Sequence, residues 1–287
     1  MKHKNYLSKV CGNAALAKKT IIVTGATGSI GREICACCLM LGADVVMAVR
    51  NTAKGEIVRA KLARRFPADK ITISELDVSN PASIDKFAAS LPEKDGYCLV
   101  NNAGALSGGN QYMTNFLGPM YLSGKLDDKL GSRLEKIVFQ SSLSYAWKKS
   151  CPDWTDPRGT KIRSSMKRYG RTKRLINLTI LALENPKYCA VHPGVCSTNI
   201  IPTRILRALC RPIFHSARTA ALPAVLALSR DFPQTHMLAP RAFGIWGRPK
   251  LRKIQKLLFD REQLSLAREH IDKELCGINS LSLCKRK

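Results

Sequence analysis

The sequence contains no apolar run long enough to cross a bilayer: its longest, LTILAL at 178–183 and AALPAVLAL at 220–228, stop well short of the roughly 20 residues that a spanning helix needs. Acidic side chains are scarce, 21 Asp and Glu against 47 Lys and Arg, and the resulting formal charge of +26 suits phosphate groups, anionic lipid or nucleic acid as partners. The eleven cysteines form no CxxC pair, are odd in number and have only five histidines beside them, which speaks against a zinc site or a disulfide framework. Cys35 and Cys38, in CACC, fall in a predicted helix and read as small buried apolar groups. The opening stretch MKHKNYLSKVCGNAALAKK is basic but reaches a strand before any apolar core, unlike a secretory signal. A cytoplasmic protein is expected.

A hydrophobic content of 45% with 24% charged residues is ordinary for a globular chain. Short β-branched runs alternate with helix-like segments: TIIVTG (20–25) then 29–41, DVVMAV (44–49) then 52–65, KITISEL (70–76) then 81–90, YCLVN (97–101) then 112–130, and KIVFQ (136–140). A helix around 167–184 and a strand around KYCAV (187–191) follow. This rhythm predicts an α/β fold with a doubly wound, mostly parallel sheet and helices on both faces. No linker or repeat divides the chain, so a single domain over 1–287 is expected, with its core at about 18–250 and a C-terminal helical extension at 251–287. In such sheets ligands bind beyond the carboxyl ends of the strands, at the switch in strand order.

The motifs sit there. TGATGSIG (24–31) closes the first strand and opens the first helix, where Gly25, Gly28 and Gly31 would allow a tight turn and close approach of a pyrophosphate to the helix N-terminus. At the end of the second strand, where an NAD-binding fold commonly carries an acid, the chain has Arg50, which suits the 2′-phosphate of NADP. NADP(H) is therefore expected over NAD(H). Asp77, in ELDVS after the third strand, is placed to reach an adenine, and NNAG (101–104) closes the fourth strand with turn-forming residues. Tyr169 and Lys173, in RYGRTKR, stand four apart and share one helix face; alone, that spacing also fits a solvated basic helix.

In this order the motifs resemble the short-chain dehydrogenase/reductase family, over roughly residues 18–230. The resemblance implies cofactor contacts at Thr24, Thr27, Ser29 and Ile30 in the glycine loop, at Val78, and at Asn102, Ala103 and Gly104. It assigns catalytic roles to Asn115 in TNFLGPMYLSGKL, to Ser142 in VFQSSLS, and to Tyr169 and Lys173. HPGVCST (192–198) is similar to the family segment in which Pro193, Gly194 and Thr198 approach the nicotinamide. The long insert at 143–168, together with APRAFGIWGRPKLRKIQ near the C-terminus, is similar to the retinol-dehydrogenase-like and protochlorophyllide-reductase-like branch.

The chemistry so implied is hydride transfer between a nicotinamide and a carbonyl or alcohol. Tyr169 would act as acid, with the Lys173 ammonium and the positive nicotinamide of the oxidised cofactor together lowering the pKa of its phenol by about 2 to 3. Lys173 and Tyr169 would also contact the cofactor, Ser142 would bind the substrate oxygen, and Asn115 would position a water. Two departures from the family pattern stand out. Ser29 occupies the place of the usual central glycine, and ALSGGNQYMT (105–114) is a short connection that would leave one wall of the pocket missing.

The expected substrate is a lipophilic carbonyl or alcohol. In NIIPTRILRALCRPIF (199–214), Ile200, Ile201, Ile205, Leu206 and Leu209 would form an apolar face ringed by Arg204, Arg207 and Arg211, suited to covering such a substrate or lying on an anionic membrane. A lid packed on its own domain is the simpler alternative. Trp147 and Trp154 would serve either as pocket lining or as core. The competing reading of the whole chain is a non-catalytic nucleotide sensor or scaffold whose basic later half binds nucleic acid or anionic membrane; nucleic acid is the less expected partner. The family resemblance suggests a homo-oligomer, with a peripheral-membrane monomer as the alternative.

Overall fold

The computed structural model of the protein describes residues 2–12, 14–108, 110–195, 216–255, 258 and 260–278. Its strands are β1 (Thr20–Thr24), β2 (Asp44–Val49), β3 (Ile71–Glu75), β4 (Tyr97–Asn101), β5 (Leu134–Gln140), β6 (Tyr188–Val191), β7 (His236–Ala242) and β8 (Trp246–Lys253). The helices are α1 (Lys2–Cys11), α2 (Ser29–Met40), α3 (Thr52–Ala63), α4 (Pro81–Ser90), α5 (Gly118–Leu130), α6 (Ser165–Leu183), α7 (Ala217–Leu228) and α8 (Arg261–Ile278).

The strands form one sheet in the order β3-β2-β1-β4-β5-β6-β7-β8, parallel except where β8 returns antiparallel along β7. The doubly wound architecture expected from the alternation of elements is the one observed. Strands β1 and β4 are buried at every position, as strands covered on both faces must be, and their near-continuous Ile, Val and Leu content follows from that. One face carries a core built from α1, α2, α3 and α7, with Leu7, Ile34, Val58 and Val225 in it. The other packs α4, α5, α6 and α8 through Phe87, Leu122, Leu178 and Ile271. Cys35, Cys37 and Cys38 lie inside α2 in the first of these cores, and burial pushes their thiols upward. Among the described residues no helix is long and apolar enough to cross a membrane.

The region past β6 departs from expectation. Residues 251–253 belong to β8 rather than to a helical extension, and the C-terminal helix starts at Arg261. Its basic composition hides the strand: β8 is exposed at nearly every position, so no alternation of apolar and polar residues marks it.

The switch in strand order lies between β1 and β4, and backbone there is packed very tightly. At Gly118, the first residue of α5, an added Cβ would stand 1.7 Å from the Val78 carbonyl and 2.9 Å from that of Met113. The helix thus presses on the loop that carries Asp77 and Val78. Gly118→Ala should cost about 3 kcal/mol of stability, read as a lower urea midpoint with an unchanged slope; an unchanged midpoint would show that the two backbones can part freely.

Candidate active site

The loops after β1 and β4 are sewn together by one buried hydroxyl. Thr24 Oγ1 accepts the backbone N–H groups of Asn102 (3.0 Å) and Ala103 (2.9 Å), and the Asn102 side chain donates back to the Thr24 carbonyl (2.9 Å). Gly25 takes a φ of +64°, which turns the chain sharply after β1. A Cβ at Gly31 would lie 2.4 Å from the Gly25 carbonyl and 2.8 Å from the Asn102 amide, so only glycine fits. Gly28 is the N-cap of α2 with an ordinary negative φ; the glycine is placed for close approach, and Ser29 begins the helix proper.

Around this turn lies a cavity of about 660 Å³, lined by Gly25, Thr27, Gly28, Ser29, Ile30 and Gly31 from the first loop, by Arg50, by Asp77 and Val78, and by Asn102, Ala103 and Gly104. Thr24 sits beneath it as support. Asp77 is held by its own turn, its carboxylate accepting from the Ser79 N–H (2.9 Å) and hydroxyl (2.6 Å). The cavity is a cradle that side chains at the glycines would fill, open along backbone N–H groups at a helix start. Its donors fit a dinucleotide phosphate.

Further along the same edge, β5 ends at Gln140 and the chain turns through Ser141 and Ser142 into a long insert before α6. The Ser142 hydroxyl hydrogen-bonds the Tyr169 phenol. One turn on, the Lys173 ammonium stands 5.4 Å from the centroid of the Tyr169 ring and donates to the Gln140 carbonyl (2.6 Å). Asn177, a further turn along, donates to the Ser141 hydroxyl (2.8 Å). The helix face bearing Tyr169, Lys173 and Asn177 is thereby fastened to the end of β5. At Gly170 an added Cβ would lie 2.3 Å from the Ser150 hydroxyl, so the insert packs directly on the helix backbone beside Tyr169. Arg171 is tied to the same insert through the Asp156 carbonyl (2.7 Å).

A family model described as short chain dehydrogenase matches residues 19–118. Mouse retinol dehydrogenase 12 is 29% identical over 254 residues, 79% of each chain, and the short chain dehydrogenase resG of Aspergillus sclerotiorum is 26% identical over 274 residues, 79% of this chain and 76% of its own. An uncharacterized Mycobacterium paratuberculosis protein of solved structure shares the fold at a TM-score of 0.69 and 25% identity, covering 92% of this chain and 97% of its own. Over residues 19–118 the chain matches the short chain dehydrogenase model, and in fold and overall sequence it is similar to members of that family. The fold is that of oxidoreductases of this kind, and the retinol-dehydrogenase-like branch is among the similar sequences.

At the Tyr169–Lys173 pair the electrostatics differ from the simple expectation. The phenol of Tyr169 is not lowered by its neighbour: burial pushes it up to about 12, with the Ser142 hydrogen bond opposing the rise. Burial also brings Lys173 down to about 8. Both groups are shifted toward their neutral forms, because desolvation penalises each charge and the ammonium meets a neutral carbonyl rather than a carboxylate.

Asn115 is also placed differently. It lies buried in a π-type turn, Met113–Leu117, and its side chain is spent on one residue, accepting from the Ala105 N–H (2.7 Å) and donating to the Ala105 carbonyl (2.8 Å). It fixes the loop after NNAG, with one further donor hydrogen and one further lone pair left on the amide. From the short 105–114 connection Leu106, Ser107 and Thr114 line this cavity, and the Gln111 amide bonds back to the Leu106 carbonyl.

Farther out, Tyr112 hydrogen-bonds His270 of α8 (2.6 Å), with Phe116 and Trp154 packed on the same imidazole. Trp154 is therefore packing, with its indole N–H on Gln263 (3.0 Å), whereas Trp147 is 47% exposed. Pro193 and Gly194 follow β6 at the same edge but do not line the cavity, nor do Tyr169 and Lys173; Thr198 and the 199–214 segment lie outside the described residues.

Sequence reasoning passed over Lys54, which lines the cavity beside Arg50 from the first turn of α3. Its spacing of four from Arg50, just inside a helix start, was the available signal. Gln140 and Asn177 carried no signal of their own, since their roles come from where β5 stops.

Lys173 yields a pH test. Its folded value of about 8 lies below the unfolded 10.5, so the unfolded chain binds the proton more tightly between those values and stability rises with pH there. Relative to Lys173→Met, the wild-type chain should gain about 2 to 3 kcal/mol between pH 7 and pH 10 in urea denaturation. Parallel curves for the two proteins would refute the depressed ammonium.

Proposed function

We propose that the protein is an NADP(H)-dependent carbonyl reductase or alcohol dehydrogenase acting on an apolar small molecule. The observation that carries this is the joining of Ser142, Tyr169 and Lys173 at the end of β5, along the edge that holds the glycine cradle. A nicotinamide dinucleotide bound in the cradle would supply or accept the hydride. The chain's own groups do the rest. A carbonyl oxygen bound beside Ser142 and Tyr169 would accept hydrogen bonds from both hydroxyls, and the phenol, protonated at neutral pH, would give its proton to that oxygen as negative charge grows there. Lys173, an ammonium with a value near 8 under the ring, exchanges its own proton readily and is positioned to restore the phenol.

Preference for NADP(H) is supported by Arg50, exposed at the cavity rim, and by Lys54 beside it; neither has an ion-pair partner among the described residues. Two cations at that position suit a 2′-phosphate and leave the ribose hydroxyls of NAD without an acid to hold them. An apolar substrate is supported by the similarity to mouse retinol dehydrogenase 12 and by Leu143, which follows Ser142 directly at the site.

Two measurements test the reading. With a panel of lipophilic aldehydes and ketones, NADPH oxidation by Tyr169→Phe should fall at least about 100-fold while NADPH binding stays nearly intact; undiminished turnover would remove the mechanism. Substituting Arg50 and Lys54 by Ala should weaken NADPH about tenfold or more and leave NADH nearly unchanged. If the ratio of the two affinities does not move, these cations do not select the cofactor.

A further inference from the structure

The β7–β8 hairpin extends the sheet past its last parallel strand and ends at the edge where the site lies. Its turn is tight: the Ile245 N–H bonds to the Ala242 carbonyl (2.8 Å), and the two central residues, Phe243 and Gly244, both have positive φ, +52° and +72°. Such a turn favours Asn, Asp or Gly at its first central position. This chain places a phenylalanine there and leaves it 80% exposed, so the ring is not packed to offset its backbone strain. Trp246, at the start of β8, is 42% exposed and Leu251 39%.

Behind the tip every charged side chain of the hairpin is basic. Arg241, Arg248, Lys250, Arg252 and Lys253 are all exposed, and no Asp or Glu occurs from 232 to 259. Arg241 and Arg248 stand two to three residues back from the turn, roughly 7–10 Å along the strands. The order from tip to base is thus aromatic, then cationic. The tip is also adjacent to the site: a Cβ on Gly244 would touch Leu143, the residue after Ser142, at 3.1 Å. Four residues past Leu143, on the same catalytic-edge loop, Trp147, Lys148 and Lys149 are exposed as well.

We propose that the β7–β8 hairpin docks the protein on anionic lipid headgroups, with Phe243 and Trp246 at the bilayer interface and the flanking arginines and lysines among the phosphates, so that the catalytic edge faces the membrane. Aromatic rings settle at the headgroup level and clustered cations are drawn to acidic lipid, which is the layering found here. A second copy is disfavoured as occupant: edge-to-edge pairing of β8 would set Arg248, Lys250 and Arg252 against like charges, and Pro249 brings no N–H to a new ladder. Single-stranded nucleic acid would call for aromatic platforms spaced along the strand rather than gathered at its tip. Delivery of a lipophilic substrate from the bilayer to the site follows if the reductase reading holds; the docking itself does not depend on it.

The test uses the full chain and phosphatidylcholine vesicles with and without phosphatidylserine. The wild-type chain should sediment with the acidic vesicles at low salt, bind them more weakly at high salt, and leave the neutral ones. Phe243→Ser with Trp246→Ser should weaken vesicle binding about tenfold, and Arg248→Glu with Lys250→Glu should abolish it, each variant keeping its melting temperature and its turnover of a soluble aldehyde. Bromine-labelled acyl chains should quench tryptophan emission of the wild-type chain, and most of that quenching should vanish in Trp246→Phe, a readout that stands even where the charge-reversed variant fails to fold. The proposal is overturned by absence of binding to acidic vesicles, by binding that the hairpin variants leave unchanged, by tighter hairpin-dependent binding to single-stranded RNA, or by a dimer that the hairpin variants dissolve without any effect on vesicles. Because sedimentation needs no turnover, failure of docking and failure of the reductase reading are told apart.

Discussion

One buried ammonium organises this protein. Lys173 is 4% exposed, donates to a main-chain carbonyl at the end of β5, and has no carboxylate to balance it among the described residues. Taking such a charge out of water opposes folding, and burial accordingly holds its proton weakly. The fold accepts that cost because α6 is clamped on every side: Asn177 bonds to Ser141, Arg171 to the Asp156 carbonyl, and Gly170 lets the insert reach the helix backbone. The cost of burying the charge and the position of Lys173 beside the Tyr169 ring are two aspects of one placement.

The insert and the C-terminal helix explain each other. A connection as short as 105–114 would leave the start of α5 bare, but Tyr112 and Phe116 are covered by His270 and Trp154 in a cluster of aromatic rings. Arg158 closes the cluster from outside, paired to Glu274 through both carboxylate oxygens (3.2 and 2.9 Å) and lying over the Tyr112 ring. Burial keeps His270 below its ordinary value, so the imidazole meets the Tyr112 hydroxyl in its neutral form at physiological pH. Chain lost from one loop is thus replaced by chain from two other places.

The sheet divides the labour by its two ends. The β1/β4 side is held by hydrogen bonds from Thr24 and by glycines that admit backbone, which makes it a rigid cradle for phosphate. On the β7/β8 side, β7 joins the core through Met237, Leu238 and Ala239, while β8 and the hairpin tip, which touches Leu143, present cations and aromatics outward. Tyr169 and Ser142 stand between a fixed cofactor side and an accessible outer side, the order in which a cofactor and a substrate would have to meet.

Much of the architecture was legible from local pattern. Gly31 and Gly25 had to be glycine because backbone approaches them, Arg50 had to follow β2, and the spacing of Tyr169 and Lys173 put both on one helix face; such features depend on residues near in sequence or on the repeat of strand and helix. Charge states, partners and coverings were not legible. That the phenol rises instead of falling, that Asn115 is spent on Ala105, and that Lys54 joins Arg50 all depend on desolvation and contacts that arise only when the strand ends are brought to one edge. Periodicity determined the order of the elements, since it is written in short-range hydrophobic pattern; only tertiary packing decided which polar groups lost water, because burial is a property of the assembled neighbourhood rather than of any segment.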